Sequence, residues 1–229
     1  MSKLIGVIGA MDIEVDGLVS SMTDISVKEI SGIKFYNGKI DEKCVVVAKC
    51  GIGKVFASIC AQAMILEYHP DVIINSGVAG TLSNELGVMD VAIAKNVVQH
   101  DMDTSAIGDP KGLISGINVI YIETNKNVVN CIENACKTLD CEFKTGTIAS
   151  GDKFISQKED KDFIKNEFSA IACEMEGASV GHVCYVNNVP FGIIRAISDG
   201  EGAEMDYQTF APLAAKQSIE IVKKFIEIY

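Results

Sequence analysis

Short, continuous apolar runs alternate with stretches of helical periodicity along nearly the whole chain. Lys3 to Gly9 reads as a buried strand and Asp12 to Ser21 as a helix. Ile33 to Tyr36 and Cys44 to Lys49 read as strands joined by a turn near Asn37–Gly38 or Asp41–Lys43. Gly51-Ile52-Gly53 breaks the pattern, Lys54 to Tyr68 continues as an amphipathic helix, and Pro70 stops it. Asp71 to Asn75 reads as a strand of buried type, followed by a glycine-rich turn at Gly77-Val78-Ala79-Gly80. Further strands are expected at Val88 to Val98, Asn118 to Ile122, Phe143 to Ala149, Ala170 to Glu174 and Phe191 to Ile197. Helices are expected at Asn125 to Leu139 with Thr124 as N-cap, at Gln157 to Phe168 with an exposed, charged character, and at Gly177 to Asn187. A loop at Asp199 to Met205 leads into a last helix from Tyr207 to Ile228.

Continuous apolar strands between helices predict an α/β fold with a parallel or mixed sheet. No linker, repeat or low-complexity segment divides residues 1–229, so one domain is expected. Hydrophobic residues make up 48% of the chain and the formal net charge is -11, which argues against nucleic acid or an anionic membrane as the main partner. No run reaches the roughly 20 apolar residues of a membrane span. The first residues do not read as a secretory signal, and none of the eight cysteines has C-x-x-C spacing. Buried, reduced thiols in a soluble, cytoplasmic protein are the expectation.

Sites in such folds lie beyond the carboxyl ends of strands, and four junctions there carry candidate chemistry. In Gly9-Ala10-Met11-Asp12-Ile13-Glu14, the acids either complement a helix dipole or supply a base at a cleft. Gly51-Ile52-Gly53-Lys54 lacks the full phosphate-loop and dinucleotide patterns, which leaves a ligand-lining turn or a plain tight turn. In Cys173-Glu174-Met175-Glu176-Gly177, alternation puts Glu174 and Glu176 on one face, where burial demands partners. In Phe191 to Asp199, Arg195 is the only arginine of the chain and lies within an apolar strand. It is either a structural partner of one of the glutamates or a positioning cation beside an acid, Asp199, on the same face.

The segments IGVIGAMDIEV (residues 5–15), KCGIGKVFA (49–57), PDVIINSGVAG (70–80), HDMD (100–103), SGDKFI (150–155), ACEMEGA (172–178), VPFGIIRAISD (189–199) and FAPLAAKQS (210–218) together resemble the nucleoside phosphorylase and nucleosidase superfamily. Within it they are similar to the 5′-methylthioadenosine/S-adenosylhomocysteine nucleosidases. The resemblance implies a single α/β domain around a twisted mixed sheet, a homodimer, no metal and no organic cofactor. It implies hydrolysis of the N-glycosidic bond of 5′-methylthioadenosine and S-adenosylhomocysteine, with 5′-deoxyadenosine a further substrate. Asp199, positioned by Ser198, then protonates adenine N7, and Glu14 holds and deprotonates the water. Glu176 binds the ribose hydroxyls, and Arg195 orients the water and its carboxylate neighbours.

By the same resemblance Met175 lies against the ribose, Phe154 stacks on adenine and the Ile155 backbone reads its edge. Met11, Ile52, Tyr207 and Phe210 surround the 5′-thio group, and Val78, Ala79, Gly80 and Glu174 complete the substrate-binding set. The segment after HDMD, around Ile107, is expected to close the partner subunit's pocket. The chain departs from the family at Val78, where many relatives have serine, in the short GEGAEM loop, and at Ile107, where some have an aromatic residue.

Four rivals are weighed by their chemistry. A phosphorylase needs several basic side chains for phosphate, and Arg195 is the one arginine. A hydrolase for 5′-deoxyadenosine or a futalosine-like nucleoside would use the same three acids. A nucleoside sensor would not need Glu14, Glu176 and Asp199 together. A metal enzyme fits poorly, since His69, His100 and His182 are dispersed without ligand spacing.

Overall fold

The chain folds as a single-domain α/β protein, seen in a computed structural model that describes residues 3–200 and 203–229. The described residues form ten strands and six helices. In order they are β1 (Leu4–Gly9), α1 (Asp12–Val19), β2 (Thr23–Ile30), β3 (Ile33–Ile40), β4 (Lys43–Lys49), α2 (Lys54–Tyr68), β5 (Val72–Thr81) and β6 (Val91–Gln99). Then come β7 (Ile122–Glu123), α3 (Lys126–Thr138), β8 (Phe143–Ser150), α4 (Lys158–Phe168), β9 (Ala170–Glu174), α5 (Gly177–Val186), β10 (Phe191–Asp199) and α6 (Ala203–Ile228).

The strands join in one mixed sheet. The wing β1–β4–β3–β2 begins with a parallel pair and ends in two antiparallel ones. The other strands close on themselves. Strand β5 pairs with β10, β10 with β6, β6 with β8, β8 with β9, and β9 returns to β5. Along its length β5 changes partner: Val72 to Asn75 pair with β1, and Gly80 and Thr81 pair with β9. Between these stretches one edge of β5 has no neighbouring strand, and the candidate site occupies that gap.

Continuous apolar runs become the central strands because both faces are covered. Residues of α2 and α5 fill one core with Ile8, Val46 and Ile193, while α1, α3 and α6 fill the other with Val7, Ile74 and Ile194. Helix α4 covers the end of β8 and β9 through Ile164 and Phe168. No helix among the described residues is long and apolar enough to cross a membrane.

Several local expectations need correction. Gly77 to Gly80 form no turn but continue β5 to Thr81. The hairpin between β3 and β4 turns at Asp41 and Glu42, not at Asn37–Gly38, which stay in register with β4. Strand β2 was not expected, because as an exposed edge it carries no apolar alternation. The strand expected at Asn118 to Ile122 reduces to Ile122–Glu123 and one bridge, Ile114 to Val119. Asn125, not Thr124, caps α3: its side chain accepts from the Asn127 and Val128 amides, whereas Thr124 donates to carbonyls of β6. Helix α6 begins at Ala203 rather than Tyr207, and Glu201 and Gly202 of the expected loop lie outside the described residues.

Candidate active site

A cavity of about 240 Å³ lies at the carboxyl ends of β1, β5, β9 and β10. Glu14, Glu176 and Asp199 all line it, and all three are buried. Each reaches it by a different local device.

Glu14 is the third residue of α1, and its carboxylate turns back over the helix start. Oε2 accepts from the amides of Ala10 and Met11, at 2.7 and 3.0 Å. This is a capping-box arrangement. Oε1 leaves the helix and accepts from the Val78 amide at 3.1 Å, within the gap of β5. The two readings of Glu14 therefore merge: the group that caps the helix also faces the cavity. Burial pushes its carboxyl above the usual range, against the Arg195 charge and these three amides.

Glu174 ends β9 and Glu176 stands at the N-cap position just before α5, so the carboxylates part rather than share one face. Glu174 turns inward. Its Oε2 accepts from the amides of Glu176 and Gly177 and from Arg195, and its Oε1 accepts from Ser150 Oγ. Burial alone would raise its carboxyl, but Arg195 and these donors hold it below the usual range. Glu176 faces the cavity, where Oε1 accepts from the Gly53 amide at 2.8 Å. Gly53 has φ 101°, a left-handed conformation that glycine adopts freely, which turns that amide toward the site. Burial, and then the neighbouring charge of Glu174, push the Glu176 carboxyl up.

Arg195 is 2% exposed and does not line the cavity. Its Nε donates to Glu174, Nη1 to the carbonyls of Asn75 and Ile194, and Nη2 to Asn75 Oδ1 and Glu174. A guanidinium has five N–H groups, and these bonds use them all. Arg195 thus fixes Glu174, which fixes the start of α5 and with it Glu176. Burying the pair costs desolvation, which the full set of partners offsets.

Asp199 ends β10. Ser198 Oγ donates to its Oδ1 at 2.9 Å, and Lys161 Nζ stands 3.7 Å from its Oδ2. A register shift between Ile197 and Asp199 breaks the alternation that places Arg195 and Asp199 on one face. Two glycines of β5 make room for the acids. A Cβ at Gly77 would lie 2.5 Å from Glu14 Oε1, and one at Gly80 would lie 2.8 Å from Asp199 Oδ2.

Of the other expected residues, Met11, Ile52, Val78 and Ala79 line the cavity, as do Gly80, Phe154, Ile155, Met175 and Tyr207. The Phe154 and Tyr207 rings meet edge to face at 5.4 Å, and Tyr207 donates to Met11 Sδ. Phe210 does not line the cavity, and Ile107 stands out in solvent at 83% exposure. The sequence reading missed Ala10, Lys153 and Cys173. Cys173 carries no signal of its own, and burial pushes its thiol up to about 12, so it supplies no thiolate. His100 leaves its buried Nε2 without a hydrogen-bond partner.

A sheet that opens where three acids converge defines a class. The Phosphorylase superfamily model matches residues 4–227, and the chain belongs to that family. More particularly, it is 38% identical to the 5′-methylthioadenosine/S-adenosylhomocysteine nucleosidase of Staphylococcus aureus over 227 residues, covering 97% of this chain and 99% of that one. It also superposes on a Helicobacter pylori MTAN mutant with 5′-methylthioadenosine in the active site, with a TM-score of 0.95, 35% identity and 99% of each chain covered. The futalosine hydrolase of Helicobacter pylori gives a TM-score of 0.94 and 36% identity over 99% of this chain and 98% of that one.

Proposed function

We propose that this chain hydrolyses the N-glycosidic bond of 5′-methylthioadenosine and S-adenosylhomocysteine, releasing adenine and the 5-substituted ribose. The observation that carries this reading is the placement of Glu14 and Asp199 against Gly77 and Gly80 of one strand. Three residues of extended chain span about 10 Å. That leaves room for a sugar and a water between an acid and a base, as direct water displacement in glycosidases requires.

Asp199 gives its proton to adenine N7 while the C1′–N9 electron pair moves onto the purine. Water bonds to C1′ and passes its proton to Glu14. Glu176 accepts from the ribose hydroxyls in place of the Gly53 amide, and its charge stabilises the oxocarbenium-like sugar. Phe154 takes adenine as its stacking partner, the Ile155 backbone reads the purine edge, and Met175 packs on the ribose. Met11, Ile52 and Tyr207 receive the 5′-thio group. Arg195 acts through Glu174 as a positioning residue.

Phosphorolysis is disfavoured by charge. Arg195 has no N–H left for phosphate, the Glu14 carboxylate holds the nucleophile side, and Lys153 of the lining pairs with Asp160. The likeness to a futalosine hydrolase widens the candidates to nucleosides with larger 5′ groups, including 5′-deoxyadenosine relatives.

The active unit is proposed as a homodimer. Val55, Phe56, Ile59 and Leu66 form an exposed apolar stripe at helical spacing on α2, just after Ile52 of the cavity lining, and a second copy covering it brings its Ile107 segment to the 5′ pocket. All eight cysteines are free thiols, which suits the reducing cytoplasm.

The test is product analysis of 5′-methylthioadenosine with and without phosphate. Adenine and free methylthioribose without phosphate support hydrolysis, and a sugar 1-phosphate overturns it. Asp199→Asn should lose turnover by at least about 10²-fold while still binding nucleoside.

A further inference from the structure

Helix α4 reads as a solvated, charged helix, with Lys158, Lys161 and Lys165 at helical spacing along one face. One of the three does not behave as a surface lysine. The Lys161 side chain is 12% exposed, its Nζ donates to the Gly200 carbonyl, and it stands 3.7 Å from Asp199 Oδ2. Lys161 and Gly200 line a second cleft, outside the substrate cavity, together with Thr81, Ser83 and Ser156. The ammonium therefore reaches Asp199 from the side away from the nucleoside.

We propose that Lys161 is a positioning residue for the acid step, holding the chain just after Asp199 and stabilising the carboxylate that Asp199 becomes. The inference rests on the hydrolase reading above. As the Asp199 O–H bond breaks and the N7–H bond forms, negative charge collects on a buried carboxylate. A fixed cation beside it lowers the barrier without reorganisation. The other described groups that face Asp199 include Ser198 on its own strand, Gly80 on β5, Cys173 on β9 and Tyr207 on α6, and none of these carries a positive charge. The carboxylates Glu14 and Glu176 share the Tyr207 side of the cavity, and Glu174 lies beyond Cys173. Among the described residues, Lys161 is the cation in this set.

The same cation makes Asp199 a stronger acid, because an opposite charge favours the ionised form. Removing it should slow the step and move the high-pH limb of kcat/KM, where Asp199 has lost its proton, to higher pH.

Three substitutions separate charge from tether. Lys161→Met removes both, Lys161→Gln keeps a donor for Gly200, and Lys161→Arg keeps the charge. With 5′-methylthioadenosine, Lys161→Met and Lys161→Gln should lower kcat by about 10–100-fold with a small change in KM, and raise the high-pH limb by roughly one unit. Lys161→Arg should recover most of the rate and return the limb. Lys165→Met should match the parent. Should Lys161→Met fail to fold, the Gln and Arg pair decides alone.

Parental kcat and pH limbs in Lys161→Gln would overturn the proposal. So would a loss shared equally by Gln and Arg, or one that tracks a fall in Tm. If the parent releases adenine while the variants do not differ from it, Lys161 alone is misassigned. If the parent releases none, the hydrolase reading falls and the Lys161 role with it.

Discussion

Glu14, Glu174 and Glu176 sit within one buried charge network yet carry opposite electrostatic loads. The Glu176 carboxyl is raised by burial and by Glu174, so in the folded protein it holds its proton above the ordinary range near about 4.3. Below that ordinary value both folded and unfolded chains are protonated, and nothing is lost. Above it the unfolded chain ionises freely while the folded chain must carry a buried charge. Stability therefore falls as pH rises from the ordinary value through the raised one. Glu176→Gln should inactivate the enzyme yet raise Tm at pH 8 by a few degrees, with no gain at pH 4, as thermal melts at the two pH values would show. A gain equal at both would count against the raised carboxyl.

Glu174 behaves in the opposite sense. Glu174→Gln strands the Arg195 charge, which should cost about 3–5 kcal/mol and lower Tm by roughly 10 °C. It also relieves Glu176, so the low-pH limb of kcat/KM should move down, readable from a pH–rate profile of whatever folded enzyme remains.

At this scale the sequence was informative about position and poor about partnership. The acids stood out because they end apolar strands or begin helices. For Arg195 the sequence leaves two readings open, a structural partner of one of the glutamates or a positioning cation beside Asp199, and the structure shows the first, with every donor spent on Asn75, Glu174 and carbonyls. Lys161 looked like any charge on a solvated helix. Phe210 is expected at the pocket through resemblance and does not line it in the single chain, while Ile107, which the resemblance assigns to the partner subunit's pocket, stands exposed.

Among the elements, β5 governs the site. Its first half pairs with β1 and its last residues with β9, so the backbone between them needs partners from side chains. The glycines there read as a turn because glycine usually marks one. Here they admit carboxylates to the strand. Gly80→Ala should displace the Asp199 carboxylate, lowering kcat by at least about 10-fold while circular dichroism stays unchanged. A fully active Gly80→Ala enzyme would show that the carboxylate can shift without consequence. The central strands were legible because burial on both faces leaves an unbroken apolar run. The exposed edge β2 was not, because it has no buried face to write a period into the sequence.

For the molecule as a whole, the apolar stripe on α2 follows directly on Ile52, which lines the cavity, so in the proposed homodimer assembly and activity should fall together. Val55→Glu, at a position 69% exposed in the single chain, should convert a dimer to a monomer in light scattering and lower activity, most at high dilution. A monomeric variant with full activity would separate the two. Apart from the gap along β5, the closed path of β5, β10, β6, β8 and β9 leaves that end of the sheet without an edge strand, while the opposite wing ends in β2.

The bonds of Glu14 bear on how such an enzyme could decay. Its carboxylate satisfies amides of Ala10, Met11 and Val78 that would otherwise be buried and unpaired, and losing such partners costs about 1–3 kcal/mol. A gene copy freed from selection for turnover would still be held to this glutamate by the need to fold. Glu176, which satisfies the Gly53 amide alone, would be freer to drift first. In a lineage of descendants, then, retention of Glu14 would record only that the protein still folds, and retention of Glu176 would record that it still works.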